Sequence, residues 1–191
     1  MTTPAMKTIF KHVWDVVGGE PKVTQHVRDE GPEEIDILSV PDQPSAGMTA
    51  YATIGMYTGE TGTVVEDKPL RVELVSMCDS SVSDYGDMLA SCAFNVLRGD
   101  YGIRPSTIYP DVVSQYRSDV TMAHMMFVPV FAWEPPPENL SVDGVVVTWL
   151  QAVPVSQSEY HYARSNGADA LESLLEEADV DVADINRPAV V

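Results

Sequence analysis

The chain has 191 residues, 20.9 kDa and a hydrophobic fraction of 45%, which suits one globular domain over residues 1–191 and excludes a disordered or fibrous class. Its 29 acidic and 11 basic residues give a formal charge of −18 and a pI near 4.3, so nucleic-acid phosphates and anionic membranes would be repelled. No apolar run approaches the ~20 residues of a membrane span, and the charged N-terminus lacks a signal-peptide cleavage pattern, so a soluble cytoplasmic protein is expected.

Within residues 7–17, Ile9, Phe10, Val13, Trp14 and Val17 recur at helical spacing, and Gly18-Gly19 stops the run. Val23, Gln25 and Val27 alternate weakly, as in a short strand. Residues 34–40 (EIDILSV) give a better strand, stopped by Pro41. Residues 50–56 read as another strand, with Gly55 at a bulge or a close approach. A polar, turn-rich stretch over 57–69 reads as an exposed loop. Leu70, Val72 and Leu74 then alternate with Arg71, Glu73 and Val75, the pattern of a half-buried strand.

Tyr85, Met88, Leu89, Cys92, Val96 and Leu97 mark the clearest amphipathic helix, with Ser83 or Asp84 to cap its start and Gly99 to end it. Between Pro105 and Thr121 the pattern fades into an irregular connection. Residues 122–133 are nearly all apolar, as a central strand is, with Pro129 marking a bulge or an end. Residues 134–139 (EPPPEN) read as a stiff polyproline spacer, and 144–155 as the strongest strand in the chain. Ser156 and Glu159 have capping-box spacing, and after Gly167 a second helical set follows at Ala168, Leu171, Leu174, Leu175 and Ala178. The order predicts an α+β (mixed α/β) domain, a largely antiparallel mixed sheet flanked by helices.

The scan for chemistry is mostly negative. HExxH, GxSxG, P-loop and GxGxxG signatures are absent, so no catalytic residue, resident metal or cofactor is expected. Cys78 and Cys92 lack CxxC spacing and read as small buried hydrophobes in a reducing compartment. His12, His26, His124 and His161 are scattered, and His124 reads as a hydrogen-bonded core histidine.

One cluster stands out. Asp29, Glu30, Glu33, Glu34 and Asp36 crowd a Gly31-Pro32 corner just before an apolar strand. They read as a metal centre completed by His26, as a partner-facing patch, or as a solvated face. Strand alternation sets Asp36 on the opposite face from Ile35 and Ile37, which counts against the metal centre. Asp29, Glu30, Glu33 and Glu34 are the candidate partner contacts, and Trp133, beside the proline run, is a candidate aromatic anchor.

The stretch EGPEEIDILSVP (30–41) resembles the part of the suppressor of fused (SUFU) domain family in which a His, a Gly-Pro corner and an Asp-Ile strand precede a proline. The closing run is similar to the family's end. It has Pro154 at a strand end, Ser156, Glu159 and Tyr160 in a capped helix, and Gly167, Ala170, Leu171, Leu174 and Leu175 in the next. Asp184, Arg187 and Pro188 then supply a final D-x-x-R-P. The middle departs from the family pattern: around Phe94 its W-P or F-P-H element is missing, while residues 122–131 occupy the place of its proline-containing strand.

The resemblance implies a non-enzymatic, protein-binding module. The animal relative restrains transcription factors by taking up a peptide as an added strand, and also uses a second domain without a counterpart in these residues. Bacterial single-domain members resemble immunity proteins that neutralise a cognate toxin, and an acidic surface suits the capture of a basic nuclease. An immunity protein is therefore the leading expectation, its partner a toxin domain or a regulatory protein. The alternatives are a metal-dependent hydrolase built on His26 and nearby carboxylates, and a peptide adaptor with an open sheet edge.

Overall fold

The computed structural model describes residues 2–28 and 31–191. Helix α1 (Pro4–Val17) begins where Thr3 Oγ1 accepts the Met6 N–H at 3.1 Å and Pro4 supplies a preset φ. It ends at Gly18, whose φ of 76° brings its N–H to the Trp14 carbonyl. Ala5, Ile9, Val13 and Val17 repeat every four residues and form one buried stripe. Ile9 and Val13 are fully buried, worth about 1.5–3 kcal/mol each by removal from water.

Strands β1 (Lys22–Val27), β2 (Glu34–Pro41) and β3 (Met48–Ile54) form an antiparallel meander. A 3₁₀ turn (Met56–Thr58) leads to β4 (Val64–Val65) and β5 (Lys68–Asp79), joined by Glu66 and Asp67, both at positive φ. Such a two-residue turn has the twist that a hairpin needs. Helix α2 (Tyr85–Leu97), β6 (Thr107–Tyr109), β7 (Met122–Pro129) and β8 (Leu140–Val142) follow, and Asp143-Gly144 makes the same kind of turn into β9 (Val145–Ser156). Helices α3 (Gln157–Asn166) and α4 (Ala168–Glu177) come next. The sheet runs β1-β2-β3-β5-β9-β7-β6, with β4 beside β5 and β8 beside β9. Among the described strands β5 and β9 alone pair in parallel.

Helices cover both faces of this sheet. On β9, Leu150 and Ala152 join the core beneath α2, whereas Val147, Trp149, Val153 and Val155 point the other way. That second face lies under α1 at one end and under α3 and α4 at the other. Likewise on β2, Ile35 and Ile37 meet α2 while Leu38 and Val40 meet α1. Burial on both faces is why these strands read as continuous apolar runs instead of alternating.

The structure revises several local expectations. The strand expected over 122–133 ends at Pro129. Beyond it the backbone turns, and the N–H groups of Phe131 and Ala132 donate to Gln151 Oε1 at 3.2 and 3.1 Å. The connection after Pro105 contains β6, and the exposed loop contains β4. Asp84 occupies the α2 N-cap position without capping it, because its carboxylate instead receives Arg117 Nε at 2.8 and 3.1 Å. Residues 134–139 are an irregular connection with a cis Glu134-Pro135 peptide.

The capping box forms as expected: Ser156 Oγ accepts the Glu159 N–H at 3.2 Å, and Glu159 Oε2 accepts the Ser156 N–H at 2.8 Å. Arg187 adds a buried, two-pronged ion pair, its Nη1 and Nη2 donating to Glu159 Oε1 and Oε2 at 2.7 and 3.0 Å. The guanidinium also reaches the Pro154 carbonyl at 3.1 Å, so the closing segment is tied to both β9 and α3.

Candidate interaction surface

The acidic corner lies beside the outer strand of the sheet. Gly31 adopts φ 140°, a conformation that L side chains rarely take, and the Arg28 N–H closes the corner on the Glu33 carbonyl at 3.3 Å. Glu34 is exposed at the start of β2 and accepts the Gln25 side-chain amide at 3.1 Å; Glu33 is half-buried. Asp29 and Glu30 lie outside the described residues. Burial pushes the Asp36 carboxyl up, and neighbouring Glu34 adds to the shift.

The register separates the components of the imagined metal centre. His26 stands opposite Ile35, whose side chain is in the α2 core, and its Nδ1 lies 3.2 Å from Asp87 Oδ1. Asp36 stands opposite Gln25, on the α1 face. The sheet therefore lies between the imidazole and that carboxylate. Among the described residues no group of three His, Cys, Asp or Glu side chains is placed to hold a metal ion.

Two buried titratable groups, Glu73 and His124, accept backbone N–H groups. Glu73 is fully buried; its Oε1 accepts the Gly55 and Tyr57 N–H groups at 2.8 and 3.1 Å, and its Oε2 accepts the Thr53 hydroxyl at 2.5 Å. Burial raises its pKa to about 7 in spite of these donors. His124 Nδ1 accepts the Asp111 N–H at 2.8 Å while Nε2 faces Gln157 Oε1 at 3.1 Å, so the Nε2–H tautomer satisfies both contacts. Burial lowers its pKa and favours that neutral ring. It is the hydrogen-bonded core histidine the sequence describes.

The two aromatic residues of the 131–133 turn differ sharply in exposure. Trp133 is 7% exposed and packs in the α1-side core, so it presents no surface anchor. Phe131, two residues earlier, is 59% exposed. It borders a groove of about 420 Å³ between the end of β7 and α4. The apolar lining includes Val128, Val130, Val153, Leu175 and Val180, and Glu172, Glu176 and Asp179 rim it. A second depression, about 520 Å³, shares Pro129 and Val130 but carries Arg104 in place of acids. The sequence reading passed over Phe131 and the rim acids. The available signals were a proline break just before an aromatic residue, and Glu172 and Glu176 four apart on one side of a short helix.

Comparison with known proteins covers the whole chain. The family described as Suppressor of fused protein (SUFU) matches residues 31–188. A protein of Bacillus subtilis (strain 168) named Immunity protein YqcF is 40% identical over 189 residues, spanning 99% of this chain and 98% of that one. A SUFU homologue of Neisseria gonorrhoeae FA 1090 superposes with a TM-score of 0.68 at 16% identity, covering 98% of this chain and 97% of its own. A chain of the Sufu-Fu complex gives 0.69 at 12% identity, covering 100% and 93%. Drosophila Suppressor of Fused gives 0.66 at 12% identity, covering 98% of this chain and 51% of that longer one. The fold resemblance, the family match and the closing motif locked by Arg187 agree: this chain belongs to the suppressor of fused family.

Proposed function

We propose that this chain is an immunity protein, which neutralises a cognate toxin by binding it and catalyses no reaction of its own. The observation that carries the reading is the relative named an immunity protein, 40% identical across nearly the full length of both chains. The geometry is compatible with it. Buried Glu73 and Glu159 are spent on capping and pairing, and most other acids lie at the surface, where they would speed the approach of a basic partner. Such a partner includes nuclease domains, which carry positive charge towards their own phosphate substrates. Glu33 and Glu34, with Asp29 and Glu30, are proposed contacts at the corner. One domain over 1–191 acting in the cytoplasm, where Cys78 and Cys92 stay reduced, completes the reading.

Co-expression tests it directly. Cells producing a candidate toxin drawn from the genomic neighbourhood of this gene are expected to survive when this chain is present, and the two proteins to co-purify as a complex. Continued killing with no complex would refute the immunity role.

A second reading, a peptide adaptor, rests on β1. No described strand pairs with its outer edge, and Val23 and Val27 are 49% and 58% exposed there. Toxin capture that survives Gln25→Pro while peptide binding is lost would separate the two.

A further inference from the structure

We infer that the groove between the end of β7 and α4 docks a basic segment of a partner protein. An apolar side chain of that segment seats against Val130, Leu175 and Val180, and flanking Lys or Arg residues meet Glu172, Glu176 and Asp179. The inference rests on the binding role proposed above and adds where and what kind of chain it binds.

The charge of the groove selects the occupant. Its lining includes three carboxylates and no Lys, Arg or His. None of the ion pairs formed among the described residues involves Glu172, Glu176 or Asp179. At the groove's edge Ser106 Oγ lies 2.9 Å from Asp169 Oδ1 and 2.8 Å from Glu172 Oε1. One hydroxyl has one hydrogen, so it serves only one of those carboxylates at a time. The rim is thus an excess of negative charge beside an apolar floor. A second copy of this chain is a poor occupant, because a net charge of −18 would oppose itself and a two-fold contact would set rim against rim.

The apolar part is pre-organised. Phe131 is 59% exposed, yet its N–H and that of Ala132 are held by Gln151, itself 1% exposed on β9. The exposed ring therefore stands on a fixed backbone, and little ordering is needed when a partner covers it. An aromatic residue beside a pocket and ringed by charge has the composition of an interface centre. The groove is also remote from the acidic corner. From β1 to β7 is five interstrand steps of about 4.8 Å, or ~24 Å, so variants at the two places act independently.

The test titrates the full isotopically labelled chain with a synthetic six-residue peptide, a Leu-Phe pair between two Lys and two Arg, at low salt. The expected result is saturable binding with amide shifts centred on Val130, Phe131, Glu176 and Val180. Binding should weaken roughly tenfold or more in Phe131→Ser, and similarly in Glu176→Lys with Asp179→Lys. A peptide with Glu in place of its Lys and Arg should not bind. Thermal melts of Phe131→Ser and Glu176→Lys should match the parent, since both positions are exposed, and Asp179→Lys should cost a little through its φ of 47°. No binding, shifts centred elsewhere, or variants that bind equally well would overturn the inference. So would a concentration-dependent dimer abolished by Phe131→Ser, which would assign the face to a second copy. Rescue assays keep the two readings apart. If the parent chain and Phe131→Ser protect cells equally, the groove is refuted and the immunity role stands. If neither protects, the immunity role falls and the peptide titration still decides the groove.

Discussion

Replacing Arg187 with Met should cost the fold about 3–5 kcal/mol at pH 7, because it strands a buried carboxylate. Arg187 is 3% exposed and Glu159 is fully buried. The substitution removes the two guanidinium donors at 2.7 and 3.0 Å and leaves Glu159 only the Ser156 and Val190 N–H groups, at 2.8 and 3.0 Å. The pH response gives a sharper signature than the loss itself. In the parent chain burial pushes the Glu159 carboxyl up, but the hydrogen bonds from Arg187, Ser156 and Val190 and the guanidinium charge outweigh it and hold the group below its ordinary value. A folded-state value lower than the unfolded one contributes stability above about pH 4.5 and loses it as the pH falls through that range. Without the guanidinium, burial dominates and the sign reverses, so Arg187→Met should lose stability as the pH rises. Urea unfolding followed by circular dichroism from pH 4 to 8 measures the widening gap. The double variant with Glu159→Met should recover most of the loss, since a buried pair replaced by apolar residues is often neutral. A single-variant loss below ~1 kcal/mol at pH 7, or a gap that does not change with pH, would refute the reasoning.

Glu73 should impose the opposite slope on the parent chain. Its folded pKa of about 7 against an ordinary 4.5 makes its contribution greatest below pH 4.5 and removes it as the pH climbs past 7, about 3 kcal/mol in all. Glu73→Gln keeps an acceptor for the Gly55 and Tyr57 N–H groups and should flatten that part of the curve in urea unfolding. Gly144→Ala should cost roughly 1 kcal/mol through backbone strain alone, since φ is +80° and no atom lies within 4 Å of an added Cβ; thermal melting reads it. Trp133→Ala should lose about 3–5 kcal/mol, whereas Phe131→Ala should stay within about 0.5 kcal/mol, as their burial dictates. If the proposed corner contacts a toxin, reversing Glu33 and Glu34 to Lys should slow that association several-fold at low salt in stopped-flow mixing, with little change in dissociation.

What the sequence made legible is local. The α1 stripe, the β2 and β9 runs, the Ser156–Glu159 capping box and the Gly99 stop depend on near neighbours, and each appears where its pattern places it. The Asp143-Gly144 turn was equally local and went unused, although Asp-Gly between apolar residues is a strong hairpin signal. The residues that misled were those decided by distant partners. Glu73 sits at a polar position of an alternating strand, and only the 53–57 segment folding over it makes it a buried cap. Trp133 and Phe131 share a short apolar run. Which of them is buried depends on Gln151, twenty residues from Phe131, gripping the turn. Glu159 and Arg187 were visible as parts of a family pattern, but that they form one buried pair is a tertiary fact.

That pair also explains how the fold handles its own charge. With 11 basic residues against 29 acids, each internal ion pair uses one cation and one acid and leaves the net charge of −18 unchanged. Arg187 is committed to Glu159, Arg117 to Asp84, Arg98 to Asp100 and Lys11 to Asp15. The first of these holds the closing segment, and the second ties the 110–117 connection to the start of α2. At the α4 rim, Glu172, Glu176 and Asp179 are carboxylates that repel their own kind. In the free chain that repulsion opposes the compact state, and salt relieves it over a Debye length of about 8 Å at physiological ionic strength. Against a basic partner the same carboxylates attract, and the same salt weakens the contact. The proposed binding role therefore predicts opposite salt responses, salt raising the stability of the free chain and weakening its complex, which a merely solubilising acidic coat would not give. If the proposed basic partner binds there, its cations would relieve that repulsion in the complex.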